Sequence, residues 1–115
     1  MKAITIALNG KLVGMNVFAQ RGQIHFVVGQ TKENEFYVGS ARFEADETFK
    51  GQKGVFVPTI GFAMYEANYV EAINDFCAMR NLPCAEKLKE IVAKMIQVAK
   101  DERDAQVNTD LEVFI

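Results

Sequence analysis

The chain has 115 residues, half of them apolar and 24% charged, with a formal net charge of -2. That is the composition of one ordinary globular domain, and it excludes a disordered chain, a disulfide-stapled miniprotein and a strongly basic nucleic-acid binder. No stretch approaches the ~20 apolar residues that a transmembrane helix needs.

The first strand is expected at Lys2–Leu8, where Ile4, Ile6 and Leu8 alternate with Ala3, Thr5 and Ala7. Asn9-Gly10 cuts the apolar run below signal-peptide length, so the start reads as a strand of a cytoplasmic protein. The same dipeptide is the strongest short hairpin signal, because a type I′ turn needs positive φ at both central residues. A second strand follows from Lys11 to Gln20, then a weaker turn at Arg21-Gly22. The third strand runs from Gln23 to Gly29, and the fourth from Glu35 to Glu44. Four strands on short turns make an antiparallel meander. Ala45–Gly54 is polar and reads as a loop. Val55–Val57 reads as a short fifth strand stopped by Pro58, since proline cannot donate to a ladder.

Phe62, Tyr65, Tyr69, Ile73 and Phe76 recur at three- and four-residue steps, which predicts a helix over Phe62–Arg80. Met64 falls on its otherwise polar side and reads as a partner-facing residue. Asn81-Leu82-Pro83 is the turn, with Asn81 as N-cap of a second helix over Cys84–Arg103. Leu88, Ile91, Val92, Met95, Val98 and Ala99 form its apolar stripe, and Glu90–Lys94 is a favourable pair on the other face. Two helices on so short a turn form a helical hairpin. Residues 104–110 read as a linker. Leu111, Val113, Phe114 and Ile115 belong to a β-prone C-terminal strand that pairs with the chain's own sheet or with a partner's.

Chemistry is sparsely signalled. Cys77 and Cys84 are the two cysteines, spaced unlike any common zinc pair, and read as reduced thiols near the core, with a disulfide across the turn as the minor alternative. His25 is the lone histidine and Ser40 the lone serine, neither in a catalytic motif. Glu71 and Asp75 share one helix face, as a solvated face does. Gly51-Gln52-Lys53-Gly54 lacks P-loop spacing. Phe18, Phe36 and Phe43 near scattered cations would suit base stacking only on an open sheet face. No cofactor or metal site is indicated.

In its length, its meander-then-helices layout and its lack of a catalytic signature, the chain resembles small orphan proteins encoded by enterobacterial phages and prophages. The resemblance implies an accessory role, binding and modulating a host protein, and transfers no site residue. The expected fold is therefore α+β in a single domain. It has a meander of four to five strands (1–57), a helical hairpin (59–103), and a linker with a C-terminal strand (104–115). The expected function is non-enzymatic binding through protein–protein contacts as a homodimer, through Leu111, Val113, Phe114, Ile115 and Met64. Two alternatives are nucleic-acid binding by the sheet face and the 45–54 loop, and a small-molecule pocket near His25, Tyr65 and Tyr69.

Overall fold

The computed structural model describes residues 2–113, with side chains described through residue 105. Five strands come first: β1 (Lys2–Leu8), β2 (Lys11–Arg21), β3 (Ile24–Lys32), β4 (Glu35–Phe49) and β5 (Gln52–Met64). Two helices follow, α1 (Tyr69–Met79) and α2 (Ala85–Val113). The class is α+β, as expected, but the strands close into a barrel in the order β1-β2-β3-β4-β5, and no open meander remains. Neighbours pair antiparallel. An odd number of up-and-down strands leaves the first and last parallel, and β1 meets β5 in that sense at Ile6↔Phe56.

The turns explain the register. Asn9 and Gly10 both have positive φ (51° and 79°), as the Asn-Gly signal requires. Lys50 and Gly51 do the same at the β4–β5 turn (48° and 82°). That turn lies inside the segment expected to be a loop. β4 and β5 continue through it, with irregular pairing between Glu44 and Thr48 that absorbs the polar residues Asp46 and Glu47.

Strand alternation gives the barrel wall two cores. Val27, Tyr37 and Ala41 point inward with Ile4, Ile6 and Met15. Phe26, Val28, Phe36 and Val38 point outward, where Ile73, Phe76 and Cys77 of α1 and Leu88, Val92 and Ile96 of α2 cover them. Both faces of β3 and β4 are therefore buried. This accounts for the near-continuous apolar runs of β3 and the first half of β4 and makes Phe36 a core residue, while Phe43 farther along β4 is 47% exposed.

Several boundaries differ from expectation. Pro58 does not end β5; the strand runs through it to Met64, tolerable because its outer side has no ladder to feed there. Phe62 and Met64 are thus strand residues, and Met64, expected to face a partner, is 0% exposed beneath the helices. Asn81 is no N-cap. Its φ of 52° makes it the left-handed residue that ends α1, and Leu82 N–H donates to the Cys77 carbonyl at 2.9 Å. Arg21 donates to the Arg80 and Asn81 carbonyls at 2.9 and 3.1 Å, tying this end to the β2–β3 turn. The expected linker and C-terminal strand are replaced through Val113 by the continuation of α2. The side chains of Leu111 and Val113, with Phe114 and Ile115 entirely, lie outside the described residues.

Candidate functional site

β1 is seven residues long and β5 is thirteen. Their single pairing, Ile6↔Phe56, leaves a groove on each side of it. One is lined by Ile4, Phe43, Gly54, Val55 and Phe56 and has a volume of about 450 Å³. The other lies where β1 has ended and β5 continues, between Leu8, Asn9, Glu35, Tyr37, Pro58 and Gly61, at about 440 Å³. Beyond Pro58 the outer side of β5 has no strand beside it among the described residues. Such an edge carries unpaired backbone donors and acceptors.

The identity of those groups follows from the β4 side. The Ile60 carbonyl oxygen turns toward β4, 2.6 Å from where a Cβ on Gly39 would sit, and it accepts a 3.4 Å hydrogen bond from Tyr37 Oη. Pairing is regular from Ser40↔Ile60 to Phe36↔Met64. Residues alternate along a strand, so Gly61 and Ala63 direct their backbone groups away from β4. No residue from Gly54 to Tyr65 is charged. Charge does not protect this edge; Pro58 and the β-bulge at Thr59 are what blunt it.

The side chains here follow the same alternation. Ile60 and Phe62 lie on the outer face at 41% and 42% exposure, while Met64, next on that face, is sealed in the core. Phe62 meets Phe76 edge to face, with centroids 6.2 Å apart. The Arg80 guanidinium stacks 4.1 Å from the Phe76 centroid and 5.9 Å from that of Phe62. Phe62 is thereby held rigid from one side and left open on the other. Gly61 faces inward, where a Cβ would lie 1.8 Å from Tyr37 Oη.

At the far end of the edge Glu35 organises a polar cluster. Its carboxylate accepts from Thr31 Oγ1 and from Tyr65 Oη (3.0 Å), with Lys32 Nζ at 3.7 Å. The Thr31 hydrogen bond, with those from Tyr65 and Lys32, holds the carboxyl below its ordinary value despite partial desolvation. The same bond to Glu35 raises the Tyr65 hydroxyl. This end of β5 is thus pinned by charge-assisted contacts, and Asn68 adds to it by accepting from the Tyr65 N–H at 2.8 Å.

The other residues singled out in the sequence do not converge. His25 is buried, with Nδ1 3.1 Å from the Gln23 carbonyl and its ring edge-on to Phe56 at 5.0 Å. It pairs with Ala41, six residues along β4 from Glu35, a separation of about 20 Å by strand rise. His25 and Tyr65 therefore do not share a pocket, and Tyr69 is half-buried against the helix-side core. Ser40 Oγ lies 2.6 Å from Thr59 Oγ1 and is buried. Cys77 and Cys84 are free thiols, and burial, with Cys84 beside it, pushes the Cys77 thiol up to about 11. Among the described residues no group of three metal-binding side chains converges, and no helix is long and apolar enough to cross a membrane.

Ile60 and the bare backbone beside it were not singled out in the sequence, and Phe62 was read there as part of a helix face. Their signal was large and small residues alternating at period two through Ile60-Gly61-Phe62-Ala63-Met64, overlaid by the helical spacing that begins at Phe62. No protein-family model, curated protein or solved structure matches the chain.

Proposed function

We propose that this chain is a non-enzymatic accessory protein that acts by protein–protein contact, and that the contact is made by strand addition at β5. The carrying observation is the uncharged, unpaired edge beyond Pro58, bearing exposed Ile60 and Phe62. Strand addition suits it because main-chain hydrogen bonds supply affinity while alternate side chains supply selectivity. The burial of Phe36 in the core, the net charge of -2 and the balance of Arg42, Lys50 and Lys53 by Glu44, Asp46 and Glu47 on the β4–β5 hairpin weigh against the nucleic-acid reading. The lack of convergence among His25, Tyr65 and Tyr69 weighs against the pocket reading.

The test compares the native chain with Ile60→Lys as bait in extract of the native cell. Ile60 is exposed, so the variant is expected to fold, which circular dichroism checks. A protein captured by the native chain and lost with Ile60→Lys is the expected result. Capture of the same proteins by both would remove β5 as the contact.

A further inference from the structure

A contact at β5 makes no use of the chain's two cysteines, yet the fold brings them together. Cys77 lies in the last turn of α1, and Cys84 directly precedes α2. The chain between them folds back tightly: Asn81 is left-handed, and Leu82 N–H donates to the Cys77 carbonyl at 2.9 Å. The Cys84 carbonyl accepts from Leu88 N–H at 2.9 Å, which fixes Cys84 at the start of α2. As a result the two thiols are hydrogen-bonded to each other, Cys77 inside the helix-side core and Cys84 against it. They differ in access, because Cys77 is 1% exposed and Cys84 is partly open. We infer that Cys77 and Cys84 are an oxidation site, a thiol pair that closes into an internal disulfide across the α1–α2 turn when it meets a small disulfide oxidant.

Access sets the order of the two exchange steps. Cys84 is reached first. Its thiol gives a proton to water, and its sulfur attacks one sulfur of the oxidant, forming a mixed disulfide and expelling one thiolate. Cys77 then loses its proton, attacks Cys84 Sγ and expels the second thiolate. Two protein thiols are oxidised, the oxidant's disulfide is reduced, and the two protons released end on the two expelled thiolates. Burial, with Cys84 beside it, pushes the Cys77 thiol up to about 11, so Cys77 leaves the first attack to its neighbour. Its own attack is helped by contact with the target sulfur, which replaces a search through solution. Arg80 and Lys89 also lie near enough to favour its thiolate. A metal suits the pair less well, since among the described residues no group of three metal-binding side chains forms. The bond ties the end of α1 to the start of α2 and closes a short loop, which restricts the unfolded chain and so stabilises the fold.

The experiment treats the full folded chain with glutathione disulfide at about pH 8, where free thiols begin to ionise. Remaining thiols are blocked with iodoacetamide, and the chain is digested with trypsin without reductant. Trypsin cuts after Arg80, so Cys77 and Cys84 fall on separate peptides, 54–80 and 81–87. Mass spectrometry is expected to find those two peptides joined and free of glutathione. The oxidised chain should run as a monomer on a non-reducing denaturing gel. It should also unfold at a higher urea concentration than the reduced chain, and dithiothreitol should restore the lower midpoint. Cys77→Ser should stop with one glutathione on Cys84, and Cys84→Ser should take none. The native chain decides the matter even where a variant fails to fold. Glutathione left on its Cys84, both thiols found blocked by iodoacetamide, or chains cross-linked to one another through Cys84 would each overturn the inference.

Discussion

Gly61 and Tyr37 show how a single position can set the geometry of an edge. Tyr37 is buried in the barrel, and its ring occupies the space where any side chain at 61 would begin. Gly61→Ala must therefore displace the ring, and overpacking of this kind costs about 1–3 kcal/mol. Shortening the ring should restore room, so Tyr37→Leu with Gly61→Ala should lose less than the two single changes together. Urea midpoints of the four proteins give the coupling directly. A Gly61→Ala midpoint equal to the native one would mean that the ring is not held there. Glu35 makes a pH statement at the same end of the strand. Its folded carboxyl is held below the ordinary value of 4.5, by Thr31 first and by Tyr65 and Lys32 in support. A depressed carboxyl stabilises the fold above its unfolded value, and that contribution is lost as pH falls below about 4.5 and through the folded value. Glu35→Gln should therefore lower the urea midpoint at pH 7 and converge on the native midpoint near pH 3. A difference of equal size at both pH values would assign the effect to packing. Asn9-Gly10 was fully legible at this scale, because its sequence names the backbone conformation. Gly61 was not, because its reason is a ring twenty-four residues away.

At the scale of elements, the local rules read well wherever one rule acted alone. β1 and the β1–β2 turn lie where alternation and turn chemistry put them, and α2 was visible from its apolar stripe. The error at the start of the helical region came where two periods overlapped. From Phe62 onward the aromatics fall at helical spacing, yet Ile60, Phe62 and Met64 also alternate with the small residues Gly61 and Ala63. Tertiary packing decided for the strand, because β4 offers a regular partner as far as Phe36↔Met64. Helix α1 begins only after the Tyr65 carbonyl has accepted from Asn68 and Tyr69. Pro58 misled for a related reason. It forbids donation to one side only, and on a strand whose outer side is bare that side has nothing to lose. The candidate site was thus present in the sequence as an uncharged run, but its exposure depended on β1 being shorter than β5. Barrel closure is a property of five strands together, and no local pattern encodes it.

For the whole molecule, the sharing of strands between the two cores decides how it unfolds. Phe26 and Val28 belong to the helix-side core, and Val27 between them belongs to the barrel interior. Phe36 and Val38 flank Tyr37 in the same way on β4. Neither core can be lost while the other keeps its wall, so the helices and barrel should unfold as one cooperative unit. Two truncations probe this from opposite sides. Phe76→Ala removes a fully buried ring from the helix side, and Ile6→Ala removes a fully buried side chain at the β1–β5 closure. Each should cost about 2–5 kcal/mol by loss of burial and the cavity left behind. With one unit, far-UV circular dichroism and tyrosine fluorescence, read in a Tyr65→Phe, Tyr69→Phe background that leaves Tyr37 of the barrel interior as the source, should give coincident urea transitions in both variants. The separation would fail in a telling direction: a helical signal lost before the tyrosine signal in Phe76→Ala, with no such gap in Ile6→Ala, would mean that the barrel stands without its helices.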